Sequence, residues 1–487
     1  MPPLLHEFDA QINPERLCGM LRPADQPVLL NSGGSISATS RYSLLAAFPM
    51  LAFTSQGARC EWLGESGEVQ SVQFGNPWQL LSAQLARYEL VDEPDLPFPT
   101  GGCFGFWGYD LKQFVEPKVG RIAHNDLELP DCRVGFYPSC LVWDRQLHRA
   151  WIVATGLSPD GARSTGIAQR QVARWLEQIS AANRDSSTES IQATSISDLE
   201  AAKSSVARED FLRATGQALE YIRQGHIYQV NLAQRWSRAF AGKAWQLLER
   251  LSAIAPAPFS AYQAWEDTAI ISSSPEQFLR MSGREITTRP IKGTRPRSPD
   301  PDEDARLSYE LQSSAKERAE LVMITDLLRN DLGRVCDYGT VHVPELLRLE
   351  RYSHVQHLVS TVGGRLRAGL SHLDALAACF PGGSITGAPK IRAMQIIDEL
   401  EPVSRGPYTG SLGYLGFNRE SQLNILIRTA LVTRGSVHYH AGAGIVADSS
   451  PEAEFEETLV KARAFFQALE PANNQNRVRA GANQQPS

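Results

Sequence analysis

Residues 181–204 are rich in Ser, Thr, Ala and Asp and contain few large apolar side chains. Such a segment cannot bury enough apolar surface to offset the entropy lost on ordering, so it predicts a linker. This linker divides the chain into a β-rich region over 1–180 and a second region over 205–469. The chain after residue 470 is polar and rich in Asn and Gln, which predicts a disordered tail over 470–487.

The residues on either side of the linker have strand and helix patterns. Gly101–Asp110 interleaves glycine with aromatic residues, which allows backbones to approach closely while the rings pack. The second region begins with an amphipathic helix and continues into an alternating strand, Ile227–Arg235. Because side chains alternate along a strand, Gln229 and Asn231 should share one face of it.

Composition excludes several classes of function. The net charge is -6 and no Lys/Arg block occurs, which argues against a nucleic-acid binder held by phosphate contacts. No run of roughly 18 apolar residues predicts a membrane span, and the N-terminus lacks the pattern of a signal peptide. The seven Cys are scattered and form no CxxC pair, which is typical of reduced thiols in the cytoplasm and not of disulfides or zinc.

Thr288–Arg295 is the segment in which we expect the chemistry. A proline restricts the backbone before Lys292, and Gly293 frees the turn after it. An ammonium group among other cations, here Arg289 and Arg295, tends to lose its proton, which makes Lys292 a candidate nucleophile. Taken alone, the segment favours a surface turn with three solvated cations.

Two helical patterns present pairs of carboxylates. Glu317 and Glu320 are three residues apart in one pattern, and Glu454, Glu457 and Lys461 share a face of the other. Four carboxylates on two helices can build an oxygen-rich site for a hard divalent cation, and the lack of clustered His or Cys favours Mg²⁺ over zinc. For either pair alone, a solvated acidic face is the commoner explanation.

Two glycine-rich segments offer backbone N–H groups. Pro381–Lys390 precedes a predicted helix and is an anion-binding candidate, although a tight structural turn explains it equally well. It is not a Walker loop, because Ala388 stands where the Lys should be. Ala441–Ala447 follows a predicted strand and superficially matches G-x-G-x-x-A, but no βαβ unit with an acidic residue follows it, so we reject a dinucleotide site.

Four single residues are further candidates. Arg428 interrupts an apolar strand pattern, and a buried Arg needs a carboxylate partner from protein or ligand. Tyr408 lies in a turn that could face a cleft. His357 is more simply explained as a core histidine with satisfied hydrogen bonds. Glu276 follows a proline at a predicted strand end, where its carboxyl group is a plausible acid to accompany Lys292.

Together these motifs closely resemble the chorismate-utilising enzymes, strongly over 205–469 and more loosely before it. The matching segments, in the family's order, are Ser-Pro-Glu276, Arg-Pro-Ile-Lys292-Gly-Thr-Arg, Ala-Glu320-Leu, Asp326-Leu-Leu-Arg-Asn-Asp331-Leu-Gly, Pro-Gly-Gly-Ser384-Ile-Thr-Gly-Ala-Pro-Lys390, Ile-Arg428-Thr, Ala-Gly-Ala-Gly444 and Glu457-Thr. Anthranilate synthase large subunits carry Ala in Pro-Ile-x-Gly-Thr, whereas the aminodeoxychorismate synthase branch carries Lys. Ser384-Ile-Thr also looks like that branch, and Gln229 stands where isochorismate and salicylate synthases have a water-activating Lys.

The resemblance implies an α+β fold, a two-sheet sandwich with helices on the outer faces and the active-site cleft between the sheets. It implies Mg²⁺-dependent amination of chorismate at C4, giving 4-amino-4-deoxychorismate for p-aminobenzoate and folate biosynthesis. Lys292 would add to C2 while Glu276 acts as general acid for the C4 hydroxyl. Mg²⁺ would be held by Glu320 and Glu457, with Glu317 and Glu454 ordering waters or acting as further ligands. The implied substrate-binding positions are Gln229, His357, Ser384, Tyr408, Arg428, Gly442, Ala443, Gly444 and Lys461.

The resemblance also has implications for partners. The chain shows no glutaminase region, so ammonia would come from solution or from a separate glutamine amidotransferase subunit. Ser32, Pro258 and Phe259 match a tryptophan pocket of the family, but Asn31 replaces the usual acidic residue, which leaves tryptophan binding open.

Two alternatives compete with this interpretation. One is an anthranilate synthase component I, against which Lys292 speaks. The other is a non-catalytic tryptophan-binding regulator, which would need neither Lys292 nor the four carboxylates.

Overall fold

A computed structural model describes residues 1–33, 40–90, 96–184, 202–352 and 355–470. Most of the predicted linker, from 185 to 201, and the predicted disordered tail from 471 onward lie outside these described residues.

The described residues form two antiparallel sheets of twelve strands each. The strands in chain order are β1 Leu4–Phe8, β2 Val28–Asn31, β3 Tyr42–Ala46, β4 Leu51–Gln56, β5 Arg59–Leu63, β6 Val69–Phe74, β7 Gly102–Trp107, β8 Cys132–Tyr137, β9 Ser139–Asp144, β10 Arg149–Ala154, β11 Lys203–Ser204, β12 Gln229–Ala239, β13 Phe259–Trp265, β14 Thr268–Ser274, β15 Gln277–Ser282, β16 Glu285–Arg289, β17 Ile291–Pro296, β18 His342–Arg351, β19 Val355–Arg365, β20 Gly387–Ala388, β21 Ser411–Gly416, β22 Glu420–Asn424, β23 Thr429–Thr433 and β24 Ser436–Ile445.

Both sheets combine strands from the two sequence regions. The first sheet runs β1-β10-β9-β3-β2-β13-β14-β23-β24-β12-β11, with β20 also paired to β12. The second runs β17-β19-β16-β15-β22-β21-β7-β8-β4-β5-β6, with β18 also paired to β19. Hydrogen bonds between β2 and β13, and between β7 and β21, therefore join the region before the linker to the region after it.

Helices cover the outer faces of both sheets. Ser314 caps the helix that carries Glu317 and Glu320, and Ser450 caps the helix that carries Glu454 and Glu457, because each Ser side chain accepts a backbone N–H of the first turn. None of the helices in the described ranges is long and apolar enough to cross a bilayer. The helices are α1 Pro14–Met20, α2 Pro77–Ala86, α3 Lys112–Val115, α4 Thr165–Arg184, α5 Arg208–Arg223, α6 Ala244–Ile254, α7 Pro301–Ser313, α8 Ala315–Gly333, α9 His372–Cys379, α10 Lys390–Leu400 and α11 Pro451–Leu469.

Strand alternation separates the interior into layers. Val142 on β9 packs between the sheets with Phe104 and Phe106 of β7, whereas its neighbours Leu141 and Trp143 point outward to the layer under the helices. Phe104 and Phe106 belong to the glycine–aromatic segment, which packs in the core as its pattern suggests. The expected sandwich of two sheets with helices outside is confirmed.

Candidate active site

Lys292 lies on β17, at the edge of the second sheet, beside β19. The register of these strands shifts between Lys292 and Thr294, and Gly293 between them has a φ of 67°. A Cβ at Gly293 would lie 2.5 Å from Leu311 Cδ1. The left-handed backbone conformation therefore favours glycine here, and any side chain would also have to displace the end of Leu311.

The surroundings of Lys292 differ from the cation-rich environment expected from the sequence. Its Nζ lies 3.6 Å from Glu320 Oε2, and the flanking arginines pair elsewhere, Arg289 with Glu350 and Arg295 with Glu317. The surroundings are mixed and not cation-rich, because the fold brings α8 against β17, and Glu317 and Glu320 of that helix face both Lys292 and Arg295.

Gln229 and Gly444 bring the first sheet to Lys292. They lie on β12 and β24, which pair with each other. A Cβ on Gly444 would lie 2.6 Å from Gln229 Nε2 and 3.6 Å from Lys292 Nζ. Because Gly444 has no side chain, space remains between the two sheets for the side chains of Lys292 and Gln229.

Glu276 is buried at the end of the loop between β14 and β15, and its Oε1 accepts a 2.6 Å hydrogen bond from Ser384 Oγ. Burial raises the pKa of Glu276 to about 7, although the Ser384 hydrogen bond and the charges of Lys292 and Lys461 act to lower it. A carboxyl group with this pKa is protonated in a substantial fraction of molecules at neutral pH. It can therefore supply a proton.

The glycine-rich loop 381–389 presents Ser384 to Glu276. Residues 381–388 of the loop are buried, and two of its carbonyl groups accept hydrogen bonds from the backbone N–H groups of Tyr228 and Asn231. Its far end is held by Lys390, whose Nζ donates to Asp331 Oδ2 of α8 at 2.7 Å. This buried ion pair explains why a Lys and an Asp accompany the loop motif in the sequence.

The four carboxylates of α8 and α11 lie close enough to influence one another. Burial and then the charge of Glu320 raise the pKa of Glu317, and Glu457 adds to this effect. Burial likewise raises the pKa of Glu454. Burial acts in the same direction on Glu457, but the ammonium group of Lys461, 2.7 Å away, holds the pKa of that carboxyl below its ordinary value.

No three His, Cys, Asp or Glu side chains of the described ranges converge to ligand distance around a single point. Instead each carboxylate faces a cation. The pairs are Glu320 with Lys292 at 3.6 Å, Glu317 with Arg295 at 3.9 Å, Glu454 with Lys316 at 3.9 Å and Glu457 with Lys461 at 2.7 Å. Four lysine and arginine groups thus balance the negative charge that a bound divalent cation would balance.

The residues present still fit Mg²⁺ by the chemistry of their donor atoms. All four side chains offer hard oxygen ligands, which Mg²⁺ prefers. Glu454 Oε2 is buried and has no hydrogen-bond partner among the described residues, while its Oε1 accepts from Ser449 Oγ. A buried carboxylate oxygen without a partner is costly, and a cation would satisfy it.

Gly442, Ala443 and Gly444 lie within β24, whereas the sequence pattern had placed them after the end of the strand. Beyond Tyr439, β24 pairs with β12 alone, because its ladder with β23 has ended. Lys461 Nζ donates to Gly442 O at 2.8 Å, so the backbone groups of Gly442 point away from β12. Hydrogen-bonded and non-hydrogen-bonded pairs alternate along an antiparallel ladder. The backbone groups of Gly444 therefore also point away from β12, whereas those of Ala443 point toward it.

His357 and Tyr408 are both buried. His357 Nδ1 lies 3.0 Å from Thr294 Oγ1 and 3.3 Å from Gly293 O, next to Lys292 in sequence. Burial and then Arg428 lower the pKa of His357 to about 4, so its ring is neutral. The Tyr408 ring stacks on His440 at a centroid distance of 4.9 Å.

Arg428 lies in a bend between β22 and β23, with a φ of 51°, and not in a strand as the sequence pattern indicated. Burial lowers the pKa of its guanidinium. Within the described ranges it forms no ion pair with a carboxylate, so the protein leaves this cation available to an anionic ligand.

The three residues of the predicted tryptophan pocket lie together. Ser32, Pro258 and Phe259 line one cavity between the sheets. Ser32 Oγ donates to Tyr42 O at 2.7 Å, and Asn31 Nδ2 donates to Glu15 Oε1 at 2.7 Å. Glu15 therefore places a carboxylate next to the amide that replaces the usual acidic residue.

Sequence reasoning missed several residues that hold the site. Thr294 contacts His357, and Ser449 and Lys316 contact Glu454. Arg405 joins segments that are distant in sequence. The flanking position of Thr294 was a possible signal, whereas nothing local distinguishes Arg405.

Known proteins resemble this chain over most of its length. A family profile described as chorismate binding enzyme matches residues 47–467. The chain is 41% identical over 445 residues to "Aminodeoxychorismate synthase component 1" of Escherichia coli (strain K12), covering 91% of this chain and 93% of the relative. It is 43% identical over 384 residues to "Anthranilate synthase component 1" of Thermus thermophilus, covering 79% and 80%. The crystal structure of anthranilate synthase component I from Streptococcus pneumoniae superposes with a TM-score of 0.76 at 30% identity, covering 88% of this chain and 93% of that one.

Proposed function

The chain belongs to the chorismate-binding enzyme family, and from this premise we propose that it aminates chorismate at C4 to give 4-amino-4-deoxychorismate. Relatives named for this activity and for anthranilate synthesis are similar to the chain at comparable identity, so the relatives alone do not decide between the two. Lys292 carries the proposal. Its amine stands in the cleft, 3.6 Å from Glu320, where a nucleophile can reach a bound ring.

The proposed first step uses Lys292 as a nucleophile. Its neutral amine forms a bond to C2 of the ring, the two ring double bonds shift, and the C4–O bond breaks. Glu276 donates its proton to the departing hydroxyl, which leaves as water. The buried carboxyl group suits this role because its pKa is raised to about 7.

The second step reverses the shift. Ammonia attacks C4, the double bonds return, and the C2–N bond breaks to release Lys292 as the neutral amine, while the ammonium group formed at C4 returns a proton to Glu276. Ser384 holds Glu276 in place through both steps. The water-activating Lys of the isochorismate-forming enzymes is replaced by Gln229, which is neutral, so amination at C4 is favoured over hydroxylation at C2.

Substrate carboxylates would be held by two parts of the cleft. The enolpyruvyl carboxylate would be held by Arg428, the Gly442 and Gly444 amides and Tyr408. Arg428 suits this role because it lacks a carboxylate partner in the described protein. Mg²⁺ held by Glu320 and Glu457, with Glu317 and Glu454 beside them, would supply positive charge to the ring carboxylate when bound.

We place the ammonia source outside this chain, in a glutamine amidotransferase subunit, since the component numbering of the relatives implies a partner. The seven cysteines are all buried and unpaired, which supports a cytoplasmic location. Binding of tryptophan between the sheets is a secondary part of the proposal, supported by the cavity at Ser32.

The deciding experiment incubates the purified chain with chorismate, Mg²⁺ and ammonium and identifies the product by mass. We expect a 4-amino product that retains the enolpyruvyl group, and no product with glutamine in place of ammonium until the amidotransferase subunit is added. Anthranilate with released pyruvate would instead establish the anthranilate synthase alternative. Tryptophan binding without any turnover would establish the regulator.

A further inference from the structure

Arg405 lies in the segment after α10 and is buried, with 2% of its side chain exposed. Its guanidinium makes five hydrogen bonds. They run from Nε to Glu401 Oε2 at 2.8 Å, from Nη2 to Glu401 Oε1 at 2.6 Å and Asn231 O at 2.7 Å, and from Nη1 to Ile385 O at 3.1 Å and Thr409 Oγ1 at 3.2 Å. A guanidinium carries five N–H donors, so every donor has a partner.

Three of these partners belong to segments that carry residues of the cleft. Asn231 is two residues from Gln229 on β12, Ile385 follows Ser384 in the buried loop, and Thr409 follows Tyr408 in the turn. The segments do not adjoin one another in sequence. One side chain thus fixes the relative positions of three parts of the cleft.

Glu401 holds the guanidinium in this orientation. Both of its oxygens accept from Arg405, and its Oε1 also accepts the backbone N–H of Ala233 on β12 at 2.9 Å. The Tyr109 ring lies 4.9 Å from the guanidinium carbon and adds a contact to its planar face. The fork is therefore rigid, as bidentate arginine–carboxylate pairs are.

We propose that Arg405 is a positioning residue that holds Ser384 against Glu276 and thereby sets the protonation of the general acid. The roles of Glu276 and Ser384 in the reaction rest on the proposed function, but the hydrogen bond between them does not. Loosening Ile385 moves Ser384, and loss of the Ser384 hydrogen bond removes an interaction that favours the charged carboxylate.

Lysine cannot replace arginine in this role. An ammonium group on a flexible chain has three donors and no planar fork, so it can satisfy Glu401 but cannot also bridge Asn231, Ile385 and Thr409. Arg405→Lys therefore preserves the buried charge while breaking the connection among the three segments.

The test measures the titration of Glu276 directly and then through the reaction. The infrared carboxyl band that Glu276→Gln removes is followed against pH in the wild-type chain, Ser384→Ala and Arg405→Lys. We expect the midpoint to move upward by about one pH unit in both variants. With chorismate, Mg²⁺ and constant free ammonia, we expect kcat of Arg405→Lys to fall about tenfold or more, with KM changed less. The alkaline fall in rate should move upward in pH as well.

Arg235→Lys is the matched control, because Arg235 lies on β12, the strand of Asn231, is similarly buried and pairs with Asp126 instead of Glu401. It should lose thermal stability without moving the Glu276 midpoint. If Arg405→Lys does not fold, Glu401→Gln loosens the same fork with a smaller change and replaces it in the test. The proposal is overturned if the Glu276 titration midpoint of Arg405→Lys, or of Glu401→Gln in its place, equals that of wild type. It is also overturned if Arg235→Lys shifts the midpoint by the same amount. A wild-type chain that titrates as expected but does not aminate chorismate overturns the proposed function alone.

Discussion

Lys292 reaches the cleft from β17, and its Nζ lies 3.6 Å from Glu320 Oε2. Changing Lys292→Ala removes the proposed nucleophile and leaves Arg428 and the glycine amides that would hold the substrate. We expect formation of the 4-amino product to fall at least about 100-fold, while chorismate binding is retained. Ammonia attacking C2 directly should yield some 2-amino product.

Product analysis by mass and a chorismate-binding titration check this prediction. Lys118→Ala serves as the control, since Lys118 is exposed and lies outside the elements that carry these residues, so both quantities should be unchanged. An unchanged yield of the 4-amino product from Lys292→Ala would exclude a covalent role for the lysine.

Glu276 makes the reaction sensitive to pH. Burial raises its pKa to about 7, and the general acid works only while protonated. At constant free ammonia, the rate should therefore be lost as pH rises through about 7. Glu276→Gln should lower kcat by about 100- to 10,000-fold and should lack this alkaline fall. A pH–rate profile of both proteins measures this, and the same fall in the Gln variant would assign the titration to another group.

Residue roles were predictable from sequence where the signal is local. Glu317 and Glu320 belong to one helical turn, so the 3.6-residue period was enough to place them on one side of α8. The environment of Lys292 was not predictable, because its partner Glu320 comes from another element. Arg405 was missed for the same reason, since its partners Asn231, Ile385 and Thr409 meet only in the folded chain.

Helices α8 and α11 act together as the carboxylate-bearing elements of the cleft. We expect Glu320→Ala and Glu457→Ala each to abolish activity at ordinary Mg²⁺ and to weaken Mg²⁺ binding measured by calorimetry, because each removes an oxygen ligand. Glu456 is an exposed neighbour on α11, and Glu456→Ala should change neither the activity nor the Mg²⁺ binding. Normal Mg²⁺ affinity in both cleft variants would remove the proposed metal site.

The elements themselves were predicted better than their ends. The strand pattern around Gln229 and the helix after Pro389 are present as β12 and α10. The glycines near 442 were expected to follow the strand that ends at His440, but pairing with β12 extends β24 through them, although glycine is disfavoured in strands. Propensity is a local quantity, and here a strand partner distant in sequence overrides it.

At the scale of the whole molecule, each sheet contains strands from both sequence regions. The pairs β2–β13 and β7–β21 place strands of the first region inside sheets completed by the second. We expect a fragment spanning residues 205–470 to fail to fold cooperatively alone, because β13 and β21 would each lose a partner strand and the packing on its inner face. Circular dichroism and thermal melting of the fragment test this, with the full chain as reference. A sharp two-state melt of the fragment would contradict it.

The same pairing has a consequence for synthesis on the ribosome. Trp107 of β7 pairs with Ser411 of β21, so β7 is made long before its partner leaves the exit tunnel. Until then the nascent chain displays an unpaired strand edge and the aromatic rings of Phe104 and Phe106, which are fully buried at the end. A topology dominated by such distant contacts folds slowly. Newly made chains should therefore depend on chaperones that shield apolar surface until the last strands emerge.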